Sequence, residues 1–346
     1  MKFRYFIFIF IICLLIPGCE KLFFEPDPAN TPENNFEIFW KNFNNYYAQF
    51  QIRNINWDSV YTFTRPHITT ATTDRELFGI LSNIILLLDD MHTTLYTPYG
   101  NVFWKSQARG IYPSSKFINP CNYIVCGAAQ NAIIESRMCK NNNIGYLNIF
   151  TFDGEGSMSL FDDRYLLIDD ILKQFKDTKG LLIDVRWNGG GNSGNSELVA
   201  SLIADQKRVY TRFQVKNGPG KNDFSEWKTR SISPNGSFHY TKPVVVLTSR
   251  ATCSAAEDFV MAMQVFPQVT IVGDTTGGGI GNPIFQELPN SWTYRLSTKI
   301  GATAGGYIIE GKGIPPDVPI ITTVADSLRG VDRIVEKGIE IIERTH

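Results

Sequence analysis

Along residues 34–90 apolar side chains recur at helical spacing. Phe36, Phe39, Trp40 and Phe43 fall at i, i+3, i+4 and i+7 of "NNFEIFWKNFNNYYAQF", one face of a helix. A second helical stretch is "DSVYTFTRPHI". A third, "DRELFGILSNIILLLDD", turns Leu77, Leu81, Ile84 and Leu88 inward, with Asp74 placed to cap it. An aromatic stripe of this kind predicts a packed helical core. The period is lost over the next stretch, where Pro, Gly and Cys are scattered. It returns as strand–helix alternation: strand "IGYLNIFTF", helix "RYLLIDDILKQF", strand "GLLIDVR", helix "SELVASLIAD", strand "PVVVLTS", helix "AAEDFVMAMQVF" and strand "VTIVGD". A glycine-rich loop and "SWTYRLSTKIG" follow, then a last strand near "GYIIEG". An amphipathic helix is predicted from near Asp326 to the end. Continuous apolar strands separated by helices predict an α/β fold whose sheet is covered on both faces.

Composition narrows the class. The chain has 346 residues, 43% hydrophobic and 19% charged, with a formal net charge of −1. It can build a sizeable core, and it has no basic block to attract nucleic acid or a membrane surface. Lys2 and Arg4 precede an apolar run of secretory length, shorter than the roughly 20 residues a spanning helix needs. The run ends in "LIPGC", which resembles a bacterial lipobox, so Cys19 is the expected lipidated residue and the chain is expected in the cell envelope, facing the periplasm or the outside. An ordinary signal peptide with an incidental Cys is the alternative. Residues 20–33, rich in Pro and polar side chains, read as a tether. Outside the cytoplasm a disulfide among Cys121, Cys126 and Cys139 is permitted, and spacing does not choose the pair. With only four histidines and no metal-ligand spacing, no metal site is expected.

Several stretches carry candidate chemistry. In "TSRATCSAAEDF", Ser254 follows a buried strand and opens a helix; Ser254 with Glu257 spells a capping box, the ordinary reading. The same position offers a hydroxyl the field of a helix N-terminus, although it needs a base to act as a nucleophile. His92, in "LLDDMHTTL", either faces the dipole of the helix before it or serves as that base. In "VRWNGGGNSGNSE", Gly189, Gly191 and Gly194 match a dinucleotide fingerprint, but no acidic residue ends the following strand, and an exported chain has little access to dinucleotides. Bare amides at a strand end instead suit a developing oxyanion.

Taken together and in order, "LLDDMHTTL", "LIDVRWNGGGN", "LTSRATCSAAEDF" and "EGKGIPPDVPI" resemble the tail-specific, carboxyl-end processing serine peptidases, in the branch similar to the tricorn protease core. The resemblance spans roughly residues 34–330 and implies a crotonase-like, ClpP-like catalytic domain. It implies Ser254 as nucleophile, His92 as base and Glu310 as supporting acid. Backbone amides of Gly189 or Gly190 and of Ala255 would hold the oxyanion, and no cofactor is implied. Two departures stand out. The other branch places a catalytic Lys where this chain has Gly279, and the tricorn-like hydroxyl residue before the His is replaced by Met91. Contact between Glu310 and His92 is therefore direct, water-bridged or absent. Asp184 and Arg186 are expected to pin the glycine loop. Residues 99–140 are too few for the PDZ domain that many relatives carry.

The expected organisation is a signal peptide at 1–19, a tether at 20–33, a helical subdomain at 34–98, an irregular connector at 99–140 and the catalytic domain at 141–346. The expected function is a lipid-anchored serine endopeptidase acting on extracytoplasmic proteins or peptides. The rivals are a non-catalytic binding lipoprotein on the same scaffold and an esterase or acyl transferase using the same Ser–His pair.

Overall fold

Thr31 caps the first helix. Its hydroxyl accepts the Asn34 N–H at 3.2 Å and Pro32 fills the first helical position, starting α1 (Pro32–Tyr46). The computed structural model describes residues 28–103, 122–125, 131, 133–139, 143–154 and 162–345. The expected signal peptide with Cys19, most of the tether, and Cys121 and Cys126 lie outside these residues. Cys139 is a buried free thiol, so it carries no disulfide.

Two further helices, α2 (Trp57–Thr64) and α3 (Asp74–Leu88), complete the helical region. Phe36, Phe39, Phe43, Leu77, Leu81, Ile84 and Leu88 are all buried, while Trp40 sits at the edge and stacks on Trp57 at 6.5 Å. The cap of α3 is Thr73 rather than Asp74. Thr73 N–H donates to Glu76 Oε2 at 2.8 Å and its hydroxyl accepts the Glu76 N–H, so two orphan donors are met at once. Short strands β1 (Thr94–Thr97) and β2 (Gly100–Val102) follow directly.

The main sheet begins with the edge strand β3 (Ile134–Met138) and β4 (Gly145–Ile149), which run antiparallel. Then come α4 (Leu167–Gln174), β5 (Leu181–Asp184), α5 (Ser193–Ile203), the hairpin β6 (Arg208–Val215) and β7 (Lys228–Ile232), β8 (Val244–Thr248), α6 (Ala255–Gln264) and β9 (Val269–Gly273). β4, β5, β8 and β9 pair in parallel. Side chains alternate between two cores. Leu181, Ile183, Val244 and Val246 face the cluster containing α4, α5 and α6, whereas Leu182, Val245 and Leu247 face the opposite one. Both faces are apolar because both are covered, and this accounts for the unbroken apolar runs.

Beyond β9, β10 (Pro283–Glu287) and β11 (Thr293–Ser297) join β1 and β2 in a four-stranded sheet, and β12 (Lys299–Thr303) joins β6 and β7. The strand expected near "GYIIEG" does not form. Only an isolated bridge, Ala302 to Ile308, is made, and Gly306, Gly311 and Gly313 at φ +91°, +70° and +83° turn the chain there. A two-residue β13 (Val318–Pro319) adds to the main sheet beside β9. The expected final helix divides into α7 (Val324–Leu328) and α8 (Arg333–Arg344), separated at Gly330 (φ +71°) and restarted by the Asp332 cap. α8 buries Ile334, Val335 and Ile342 against the second face of the sheet.

The helical region and the four-stranded sheet share one core, with Phe43 meeting Tyr294 at 5.7 Å and Trp57 at 5.4 Å. Phe43→Ala should cost about 3–5 kcal/mol of stability, read from denaturant unfolding. A loss under ~1 kcal/mol would show that the two elements do not share a core.

Candidate functional site

Ser254 stands between β8 and α6 with φ 56° and ψ −127°, a backbone region that non-glycine residues rarely enter. Strain of this kind costs on the order of 1–3 kcal/mol and persists only when neighbours fix it. Here the Ser254 N–H donates both to the Gly279 carbonyl at 2.9 Å and to Glu257 Oε2 at 3.2 Å. The Glu257 carboxylate thus supplies its half of the expected capping box. It does more than cap. Fully buried, it also accepts the Thr276 hydroxyl at 2.5 Å and the Gly278 and Gly279 N–H groups at 2.8 and 2.7 Å. Burial pushes this carboxyl up to about 7, against the pull of those hydrogen bonds.

The Ser254 hydroxyl meets the base that the sequence offered. Its Oγ is 3.3 Å from His92 Nε2. His92 lies in the turn after α3, reached through Asp89 at the left-handed C-cap (φ 45°), and β1 follows two residues later. The backbone on either side of the imidazole is pinned. His92 N–H donates to Asp90 Oδ1 at 2.8 Å, and the His92 carbonyl accepts Arg295 Nε at 3.2 Å. Burial lowers the His92 pKa from 6.5 to about 4, with Asp90 opposing the shift and Arg295 and Lys299 adding to it.

The glycine loop closes over Ser254 from the other side. Gly190 has φ +107°, and a Cβ there would lie 2.6 Å from Ser254 Cβ and 3.0 Å from Ala255 N, so only glycine fits. Its N–H donates to Asn188 Oδ1 at 2.9 Å, which removes Gly190 from the amides available for an oxyanion. Among the described residues no hydrogen bond is made by the N–H of exposed Gly189 or of Ala255, the first residue of α6. Asn188 also donates to the Ile149 carbonyl at 3.1 Å and anchors the loop to β4. Beneath it Arg186 chelates Asp184 through Nε at 2.9 Å and pairs with Asp332 at 2.8 Å, which ties the end of β5 to the start of α8 rather than to the glycine loop itself.

Glu310 is placed near but not on His92. Its Oε2 accepts the Ile280 N–H at 3.1 Å, and its Oε1 faces Arg53 Nη2 at 3.5 Å. His92 Nδ1 has no hydrogen-bond partner among the described residues, so a direct Glu310–His92 bond is absent. Burial, and then the Asp90 carboxylate, hold Glu310 well above the usual carboxylate range. Met91 and Gly279, the two departures, turn out to touch. A Cβ at Gly279 would lie 2.1 Å from Met91 Sδ and 2.4 Å from its Cγ. The thioether fills the space into which a side chain at 279 would grow.

Sequence reasoning brought Ser254, His92, the glycine loop and Glu310 to one place. It did not assign Asp90, Asn188 or Arg53, and it gave Glu257 only a capping role. Asp90 and Glu257 lay inside stretches already singled out, and the buried helix start could have flagged Glu257. Arg53 carries no local signal, because its role exists only through contacts made from a separate region.

The model of the Peptidase family S41 matches residues 143–320, and that of the Tricorn protease C1 domain matches residues 28–85. The carboxy-terminal processing protease CtpA of Bacillus subtilis is 32% identical over 179 residues, covering 52% of this chain and 35% of its own. The chain therefore spans about a third of that relative's length. A crystal structure described as a candidate peptidase from Parabacteroides merdae superposes with a TM-score of 0.75 at 28% identity, covering 91% of this chain and 97% of the other. Mature CPAF shares the fold alone, at 12% identity and a TM-score of 0.69 over 91% of this chain and 97% of the other.

A base must be neutral to accept a proton, and a lowered pKa keeps His92 neutral further into acid. Labelling of Ser254 by a fluorophosphonate should therefore stay level from pH 7 to about pH 5 and fall toward about pH 4, not 6.5. The same shift makes the unfolded state take up the proton first. His92 then contributes stability above its unfolded pKa that is lost as pH falls through this window. A midpoint near 6.5 for labelling would contradict the buried imidazole.

Proposed function

The chain belongs to peptidase family S41, and we propose that it cleaves peptide bonds as a carboxyl-end processing serine peptidase. The observation that carries this reading is the 3.3 Å approach of Ser254 Oγ to His92 Nε2, at a strained residue opening a helix. His92 takes the Ser254 proton as the hydroxyl attacks the scissile carbonyl, and returns it to the leaving amine. The Ala255 and Gly189 amides hold the oxyanion, aided by the N-terminal field of α6. Glu310 supports the imidazole from a distance rather than by direct contact. The reading is supported by similarity to carboxy-terminal processing proteases over about half of the chain. Protein or peptide chains are the substrates. The rival of a binding scaffold gives no reason to hold a hydroxyl against a buried imidazole.

In this reading the protein is tethered to the cell envelope through Cys19. The support is the basic start, the apolar run and the Cys that ends it. Fatty-acid labelling of the expressed chain should be lost in Cys19→Ser, and retained labelling would rule the anchor out.

Exposure to a fluorophosphonate probe tests the chemistry. Wild-type protein should label, Ser254→Ala should not, and His92→Ala should lose at least about 10²-fold in rate. Peptide cleavage should fall in parallel. A folded wild type that neither labels nor cleaves would favour the binding scaffold.

A further inference from the structure

Two buried carboxylates and one guanidinium lie together behind His92. The side chains of Asp90 and Glu310 are fully buried and that of Arg53 is 10% exposed. Anions this close and this dry do not both stay charged without a cation, because desolvation and mutual repulsion each drive protonation. Arg53 supplies one. Its Nη2 is 3.5 Å from Glu310 Oε1 and 3.9 Å from Asp90 Oδ1. The guanidinium is fixed in turn: Nη1 donates to the Asp89 carbonyl and Nε to Gln49 Oε1 at 3.1 Å. Tyr47 closes the cluster beside Asp90, and the charges of Arg295 and Lys299 oppose protonation of the imidazole.

The carboxylates divide their contacts. Asp90 Oδ1 accepts the His92 N–H at 2.8 Å, and its charge favours the protonated imidazole against burial. Glu310 spends its oxygens on the Ile280 N–H and on Arg53. A lone supporting acid would touch His92 Nδ1, which no described residue does.

We propose that Asp90 and Glu310 act on His92 as a pair, and that Arg53, contributed by the turn between α1 and α2, is the positioning residue that holds both in place. The inference rests on the reading of Ser254 and His92 as the reacting pair. Arg53 holds the carboxyl pair where its negative charge faces the imidazolium that forms when His92 takes the Ser254 proton. The helical region is then part of the active centre.

The test is the fluorophosphonate labelling rate and peptide turnover of full-length variants. Arg53→Met should lose about 10²-fold in rate, the scale of a misplaced catalytic group. Arg53→Lys should recover a large part of that loss, and added methylguanidinium should partly rescue Arg53→Met. A purely structural defect would respond to neither. Asp90→Asn and Glu310→Gln should each slow the reaction, and their losses should combine non-additively. A folded Arg53→Met with wild-type kinetics would overturn the proposal, as would additive losses or a silent Asp90→Asn. Should Arg53→Met fail to fold, Arg53→Lys and the two-carboxylate cycle decide. Failure of the wild type to label removes the Ser254–His92 reading itself; labelling indifferent to Arg53 removes only this inference.

Discussion

One buried carboxylate holds the site in shape. Glu257 gathers the Ser254 N–H, the Thr276 hydroxyl and the Gly278 and Gly279 amides onto two oxygens inside the protein. An acceptor with four donors in low dielectric has few other arrangements open to it, because losing any donor exposes an uncompensated lone pair. The strained conformation of Ser254 and the path of the glycine turn after β9 are thus consequences of a single side chain. Through Thr276, whose hydroxyl accepts the Ile314 N–H at 2.7 Å, and the Gly311 N–H on the Gly278 carbonyl at 2.7 Å, the same hub reaches the segment bearing Glu310. Helix start, turn and acid are therefore joined by one hydrogen-bond network.

How far this was readable from the sequence depended on whether local chemistry decided the outcome. The main sheet was legible because strands buried on both faces must be continuously apolar, as Leu181–Ile183 and Val244–Leu247 are. Helices α1 and α3 were legible through Phe36, Phe39, Phe43 and Leu77, Leu81, Leu88. The misreadings fall where competing local options are close in energy. Thr73 and Asp74 are both good caps, and the geometry that lets Thr73 pair with Glu76 selects between them. "GYIIEG" is apolar enough for a strand, but its flanking glycines adopt positive φ and curl it around Glu310.

Within the site, Ser254, His92 and the glycine loop were legible through residue type and order. The electrostatic support was not. Arg53 and Glu310 are far apart in sequence, and nothing near Arg53 distinguishes it from a surface arginine. Buried charge clusters are properties of assembly, since each member is tolerable only when the others are present. Asp90 was hidden differently: as one of two carboxylates ending a helix, it carries no local signal of burial, yet its side chain is fully buried.

The contact between Met91 and Gly279 has a consequence for how such sites diversify. A lysine introduced at 279 would begin inside the Met91 side chain, and a small residue introduced at 91 would vacate packing without providing a base. An exchange at either position therefore obliges the other to repack, so the two departures from the family pattern are coupled through one patch of packing.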